Sequence, residues 1–132
     1  MKYLLVLVML VNLPVLANWE KVTENDSGSE FLVDFQTLRK DGNRVKFWRV
    51  LNYSKAVKLN GQDVLSFRSR TEVDCKEETY RFLTITAYSQ RNARGEDFGT
   101  HTYSEFDSKW EHVPPTSAMW TVLNAVCKAP AR

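Results

Sequence analysis

Histidine, cysteine, glycine and proline are all scarce in this chain: 2, 2, 5 and 4 among 132 residues. The scarcity narrows the chemistry. The cysteines form no CxxC, and neither His101 nor His112 stands at ligand spacing from Cys75 or Cys127, so no zinc site is legible. No serine or cysteine nucleophile motif accompanies either histidine, and both read as surface residues rather than catalytic or haem-binding groups. Gly95 and Gly99 lie in the wrong context for a phosphate-cradling loop. Charge of one sign is also lacking. Eighteen basic against 16 acidic side chains leave a net charge of +2, too little for the basic stripe of a nucleic-acid binder. The expectation is a protein without cofactor, metal or nucleic-acid partner, and not an enzyme.

Long apolar runs are confined to the beginning. Lys2 precedes an almost pure apolar stretch from Leu4 to Val11, Pro14 breaks it, and Val15-Leu16-Ala17 supplies the residues a signal peptidase reads. The run is shorter than the roughly 20 residues of a membrane-spanning helix, and no later stretch is long and apolar enough to span. No cysteine follows the expected cleavage between Ala17 and Asn18, so the lipid-attachment signal is missing. These features predict a signal peptide over 1–17 and one exported domain over 18–132, periplasmic or secreted to the cell surface. In an oxidising compartment, Cys75 and Cys127 pair most simply as one disulfide; a free thiol pair or a half-built metal site fits poorly.

What is present is alternation. Short strands are expected at Asn18–Thr23 and Phe31–Phe35, and Asp41-Gly42 marks a hairpin. Arg44–Tyr53 carries Val45, Phe47, Leu51 and Tyr53 on one face and Trp48 and Val50 on the other. Ser54–Asp63 reads as a loop. Val64–Cys75 places Leu65, Phe67, Thr71, Val73 and Cys75 on one side; Ser66, Arg68, Arg70, Glu72 and Asp74 form a polar side expected to be solvated. Thr79–Ser89 is expected to put Tyr80, Phe82 and Tyr88 opposite Leu83, Ile85 and Ala87. A polar loop at Gln90–Glu96 leads to a last strand at Phe98–Phe106. After Pro114-Pro115, Thr116 or Ser117 can cap a helix over Ala118–Cys127 whose apolar stripe is Met119, Val122, Leu123 and Val126. The fold class is α+β: a curved antiparallel meander sheet of five or six strands, with one C-terminal helix tied to it by the disulfide. Apolar character on both sheet faces predicts either a half-barrel curl or pairing with a second copy as a homodimer.

Asp34, Glu72 and Asp74 are the carboxylates from which an acid–base set would be drawn, but Arg68 and Arg70 beside them make surface ion pairing the better expectation. Aromatic and arginine side chains carry most interface energy. Trp48, Tyr80, Tyr88, Arg91 and Arg94 are therefore the candidate partner-binding surface, with core building as the competing role for the aromatics.

Several pieces follow one another in a telling order. They are Trp19, Val33-Asp34, the hairpin running from Asp41 through Trp48 to Tyr53, Ser66 with Glu72-Val73-Asp74-Cys75, Arg81 and Tyr88. Last comes Trp110-Glu111-His112-Val113-Pro114-Pro115-Thr116-Ser117, running to Val126-Cys127. This ordered set resembles the surface-adhesin protein E-like domain family of exported proteins of Gram-negative bacteria. The resemblance implies an antiparallel sheet with a disulfide-tethered C-terminal helix and a non-enzymatic protein-binding role, adhesion to host matrix or serum proteins. The alternative is a small periplasmic protein with a structural or envelope-stress role and no host contact.

Overall fold

The computed structural model describes residues 17–131. Apart from Ala17, the expected leader lies outside these residues. Ala17 and Asn18, on either side of the expected cleavage point, are exposed and outside regular structure.

Alternation and turn residues build a sheet whose spatial order repeats the chain order. Strands β1 (Glu20–Glu24), β2 (Glu30–Asp41), β3 (Arg44–Leu59), β4 (Gln62–Asp74), β5 (Thr79–Gln90) and β6 (Arg94–Thr102) each pair antiparallel with the strand before. A two-residue strand, β7 (Glu111–His112), pairs with the start of β5, and helix α1 (Ala118–Lys128) follows. The antiparallel meander with one C-terminal helix is thus the architecture that the alternation predicted.

The turns decide where strands end. Asn60 and Gly61, with φ of 50° and 78°, join Leu59 directly to Gln62. Two consecutive positive φ values are what a tight hairpin of this type requires. The expected loop Ser54–Asp63 is therefore mostly strand, because β3 continues to Leu59. The β5–β6 turn tightens in the same way. Gln90 pairs with Arg94, and Asn92 and Ala93 take φ of 62° and 56°. The last long strand consequently begins at Arg94 and ends at Thr102, earlier than the expected Phe98–Phe106.

A second correction concerns β5. Arg70 pairs with Thr84 and Thr71 with Phe82, which leaves Leu83 as an extra residue. Such a bulge shifts every later side chain to the opposite face. Tyr80 and Phe82 thus share a face with Ile85 and Ala87, while Tyr88 points the other way.

One face of the sheet is covered at one end by α1. Val33, Val45, Phe47 and Val73 from the sheet meet Val122, Leu123 and Val126 from the helix in a buried core. Ser117 starts the helix, its hydroxyl accepting from the Trp120 amide at 3.2 Å. The other end of the helix is held twice. The Cys75–Cys127 disulfide spans 52 positions, and Lys40 Nζ donates to the Cys127 carbonyl at 2.9 Å. We call this the helix face and the opposite one the open face.

The open face departs from the solvated row expected on β4. Ser66 and Glu72 are 0% and 3% exposed, and Arg68 and Arg70 are partly buried. The two buried ones, Ser66 and Glu72, find the partners that burial requires. Ser66 Oγ donates to the Gln90 carbonyl and accepts from the Ala93 amide, while Glu72 pairs with Arg81 at 2.7 Å.

Candidate functional site

Cross-strand geometry stacks cations and rings on the open face. Trp48 of β3 stands opposite Arg70 of β4, and Arg68 lies one diagonal step away. The Arg68 guanidinium is 5.1 Å from the Trp48 ring centre and 5.7 Å from that of Tyr88; Arg70 is 5.7 Å from Trp48. The result is a ladder in the order Tyr88, Arg68, Trp48, Arg70. A second stack sets Arg81 and Arg44 over Trp110 at 4.6 and 5.1 Å. These contacts are cation–π interactions, worth about 0.5–2 kcal/mol each according to exposure. Beside the ladder opens a cleft of about 370 Å³ lined by Trp19, Asp34, Gln36, Thr37, Trp48 and Arg68. Arg68 Nε is buried there without a hydrogen-bond partner. Among the described residues, neither Arg68 nor Arg70 forms a salt bridge, so the ladder is positively charged.

The five residues singled out from the sequence do not form one patch. Trp48 and Tyr88 are joined through Arg68, which was expected in the solvated row of its own strand and was not selected. Tyr80 lies on the helix face, where its hydroxyl donates to Glu111 at 2.8 Å. Arg91 and Arg94 sit at the β5–β6 turn, Arg94 exposed and Arg91 paired with Glu30 of β2. The same turn is fixed by Asn52, whose side chain accepts from the Asn92 amide at 2.7 Å and donates to the Asn92 side chain at 2.8 Å.

Glu30 gives this tip a pH dependence. Partial burial pushes its carboxyl up, but Lys21 and Arg91 together hold it below the ordinary glutamate range. A lowered carboxyl stabilises the fold above its unfolded value and loses that contribution as pH falls through the folded value. Replacing Glu30 with Gln should remove a stabilisation of below about 1 kcal/mol at pH 7 and none at pH 2. Urea denaturation of both proteins at the two pH values checks this.

The three carboxylates considered for acid–base work are each occupied structurally. Asp34 Oδ1 accepts from the Gln36 amide at 3.0 Å at the irregular middle of β2. Glu72 holds Arg81. Asp74 Oδ1 accepts from the amides of Lys76 and Glu77, both at 3.0 Å, in the β4–β5 turn. His101 is exposed, edge-on to Tyr103 at 4.4 Å, and His112 lies in β7.

A residue unnoticed in the sequence is the most unusual one in the fold. Arg49 sits on the helix face in the row Val45, Phe47, Arg49, Leu51, Tyr53, and it is only 7% exposed. Its Nε donates to Thr71 Oγ1 at 3.2 Å, and its guanidinium lies 5.1 Å from the Phe82 ring centre and 5.9 Å from that of Phe31. Its Nη1 is buried with no partner. Burial lowers the guanidinium to about 10, against the weaker opposing pull of Tyr80 and Tyr53, so it remains charged at neutral pH. Burying an uncompensated cation costs several kcal/mol. The signal was available: the period of two that assembled the apolar row places a cation in its middle.

Comparison with known proteins follows the same architecture. A family described as surface-adhesin protein E matches residues 19–128. The chain belongs to the surface-adhesin protein E family. Solved structures of Haemophilus influenzae protein E share its fold at 13% identity. One aligns with a TM-score of 0.61 over 86% of this chain and 86% of that one. A second crystal form aligns at 0.62 over 86% and 89%. Protein E from non-typeable Haemophilus influenzae aligns at 0.58 over 86% and 77%. No curated protein matches the chain significantly. The family match spans every strand and helix described above, and so includes both the arginine ladder and Arg49. Among the described residues of this family member, no helix is long and apolar enough to cross a membrane.

Proposed function

We propose that this protein is an exported, non-enzymatic protein-binding module that acts in adhesion. The positively charged ladder Tyr88–Arg68–Trp48–Arg70 on the open face is its contact surface. The observation that carries the reading is the stack itself, in which Arg68, Trp48 and Arg70 are partly exposed and Tyr88, 7% exposed, backs Arg68. Trp, Tyr and Arg dominate binding hot spots because they bring large area and directed donors at modest entropic cost. Charge complementarity points to an acidic protein surface as the partner, and family membership supports adhesion to a host matrix or serum protein. The leader over 1–17 and the single domain over 18–132 belong to the same proposal. So does a curved sheet, supported by the reach of the β5–β6 turn from the far side of β4 to Asn52 and Glu30.

Two measurements test it. Trp48→Ala and Arg68→Ala should each weaken adhesion to immobilised matrix or serum protein by about thirtyfold, the scale of a hot-spot residue, with an unchanged far-UV spectrum. Protease treatment of intact cells should remove the protein. Resistance until the outer membrane is opened would sink the adhesion reading and favour the periplasmic structural or envelope-stress role.

A further inference from the structure

The part of the helix face that α1 leaves uncovered is a groove. Beside Arg49 it holds about 220 Å³, walled by Leu51, Tyr53, Phe67, Phe82 and Ile85. It continues past Phe67 and Ile85 to a second hollow of about 310 Å³ bounded by Ala87, Phe98 and Gly99. The walls are mainly apolar, interrupted by Ser69 in the first hollow and by Thr100 and His101 in the second, and Arg49 is the one arginine or lysine among them. Thr71 and the two phenylalanines fix the guanidinium in place, yet Nη1 has no acceptor and, among the described residues, no carboxylate pairs with it. A buried donor of this kind is retained at a cost to stability, and an anion supplied from outside removes that cost.

We propose that the groove binds a small amphipathic monocarboxylate, an acyl chain whose head group is held by Arg49 and whose tail lies along Phe67 and Ile85 towards Phe98. Each part of the ligand answers a feature of the groove. The planar fork of an arginine matches a carboxylate. The length of apolar wall beyond it matches a flexible hydrocarbon better than a compact anion such as phosphate, which would leave the wall wet. The site lies on the opposite side of the sheet from the arginine ladder, since Trp48 and Arg49 are consecutive on β3. It is therefore independent of the adhesion proposal, and either can fail without the other.

The test is titration calorimetry of the purified protein with decanoate below its aggregation concentration, with decanol and inorganic phosphate as controls. Saturable one-to-one binding of decanoate, at least about tenfold tighter than decanol, is expected from a charge-assisted contact. Phosphate should not compete. Arg49→Met should lose that preference while melting at a higher temperature than the parent, because it fills the space and removes the unpaired cation. The Met variant therefore reports on the site without reporting on misfolding. Absence of saturable decanoate binding overturns the proposal. So does equal affinity for decanol, unchanged affinity in Arg49→Met, or displacement by phosphate.

Discussion

Removing the disulfide should lower the melting temperature by about 15 °C. Cys75 and Cys127 close a loop of 52 positions, and on the chain-entropy account a cross-link of that length stabilises by about 4 kcal/mol. In a domain of this size each kcal/mol moves the midpoint by roughly 4 °C. The structure adds a reason specific to this fold. β4 is a central strand and α1 is the last element, so the bridge fastens the helix at its C-terminal end, while Ser117 caps the other. Without it, α1 is held by its short apolar stripe and by Lys40. The measurement is thermal unfolding of the Cys75→Ser/Cys127→Ser double variant beside the oxidised parent. The reduced parent should match the variant, and a midpoint within about 3 °C of the oxidised parent would refute the tether.

Phe47→Ala should be comparably severe, at about 3–5 kcal/mol. Phe47 is 0% exposed and is the largest fully buried side chain among the described residues. It packs among Val45, Val73 and the helix stripe, and its loss leaves a void that neighbouring valines are too short and stiff to fill. Chemical denaturation gives the value directly. Cys75 and Cys127 pack against the same cluster, so combining this change with disulfide removal should cost less than the sum of the two. Once the helix has detached, the void costs little more.

Much of this fold could be read from residues alone, for identifiable reasons. β3 and β4 alternate over long stretches, and their pairing follows the apolar rows without interruption from Arg44 to Asn52. The helix announced itself through Ser117 and the spacing of Met119, Val122, Leu123 and Val126. What stayed hidden depends on single residues. Periodicity carries no mark of the extra residue Leu83, so the face of Tyr80 was misassigned. The pair Glu111–His112 is too short to show any period and becomes strand only because Thr79 and Tyr80 offer it an edge. The row of Arg68, Arg70 and Glu72 looked solvated because charged side chains usually are. Here Trp48, Tyr88 and Arg81 supply the partners that allow partial burial. The ladder proposed as the contact surface was half legible: Trp48 and Tyr88 were selected, but the arginine that joins them was not.

The extra residue in β5 has a practical consequence beyond its own geometry. It acts as a frameshift within a strand: residues before Leu83 and residues after it belong to different phases of the same alternation. Relatives at 13% identity offer few landmarks for aligning this strand. Leaving out the gap, or placing it beyond Ile85, would exchange the groove-lining Ile85 for the ladder-facing Thr84 or Thr86, transferring a role from one side of the protein to the other. Residue roles can be carried between distant members of this family along β5 only if the break in phase is placed at Leu83.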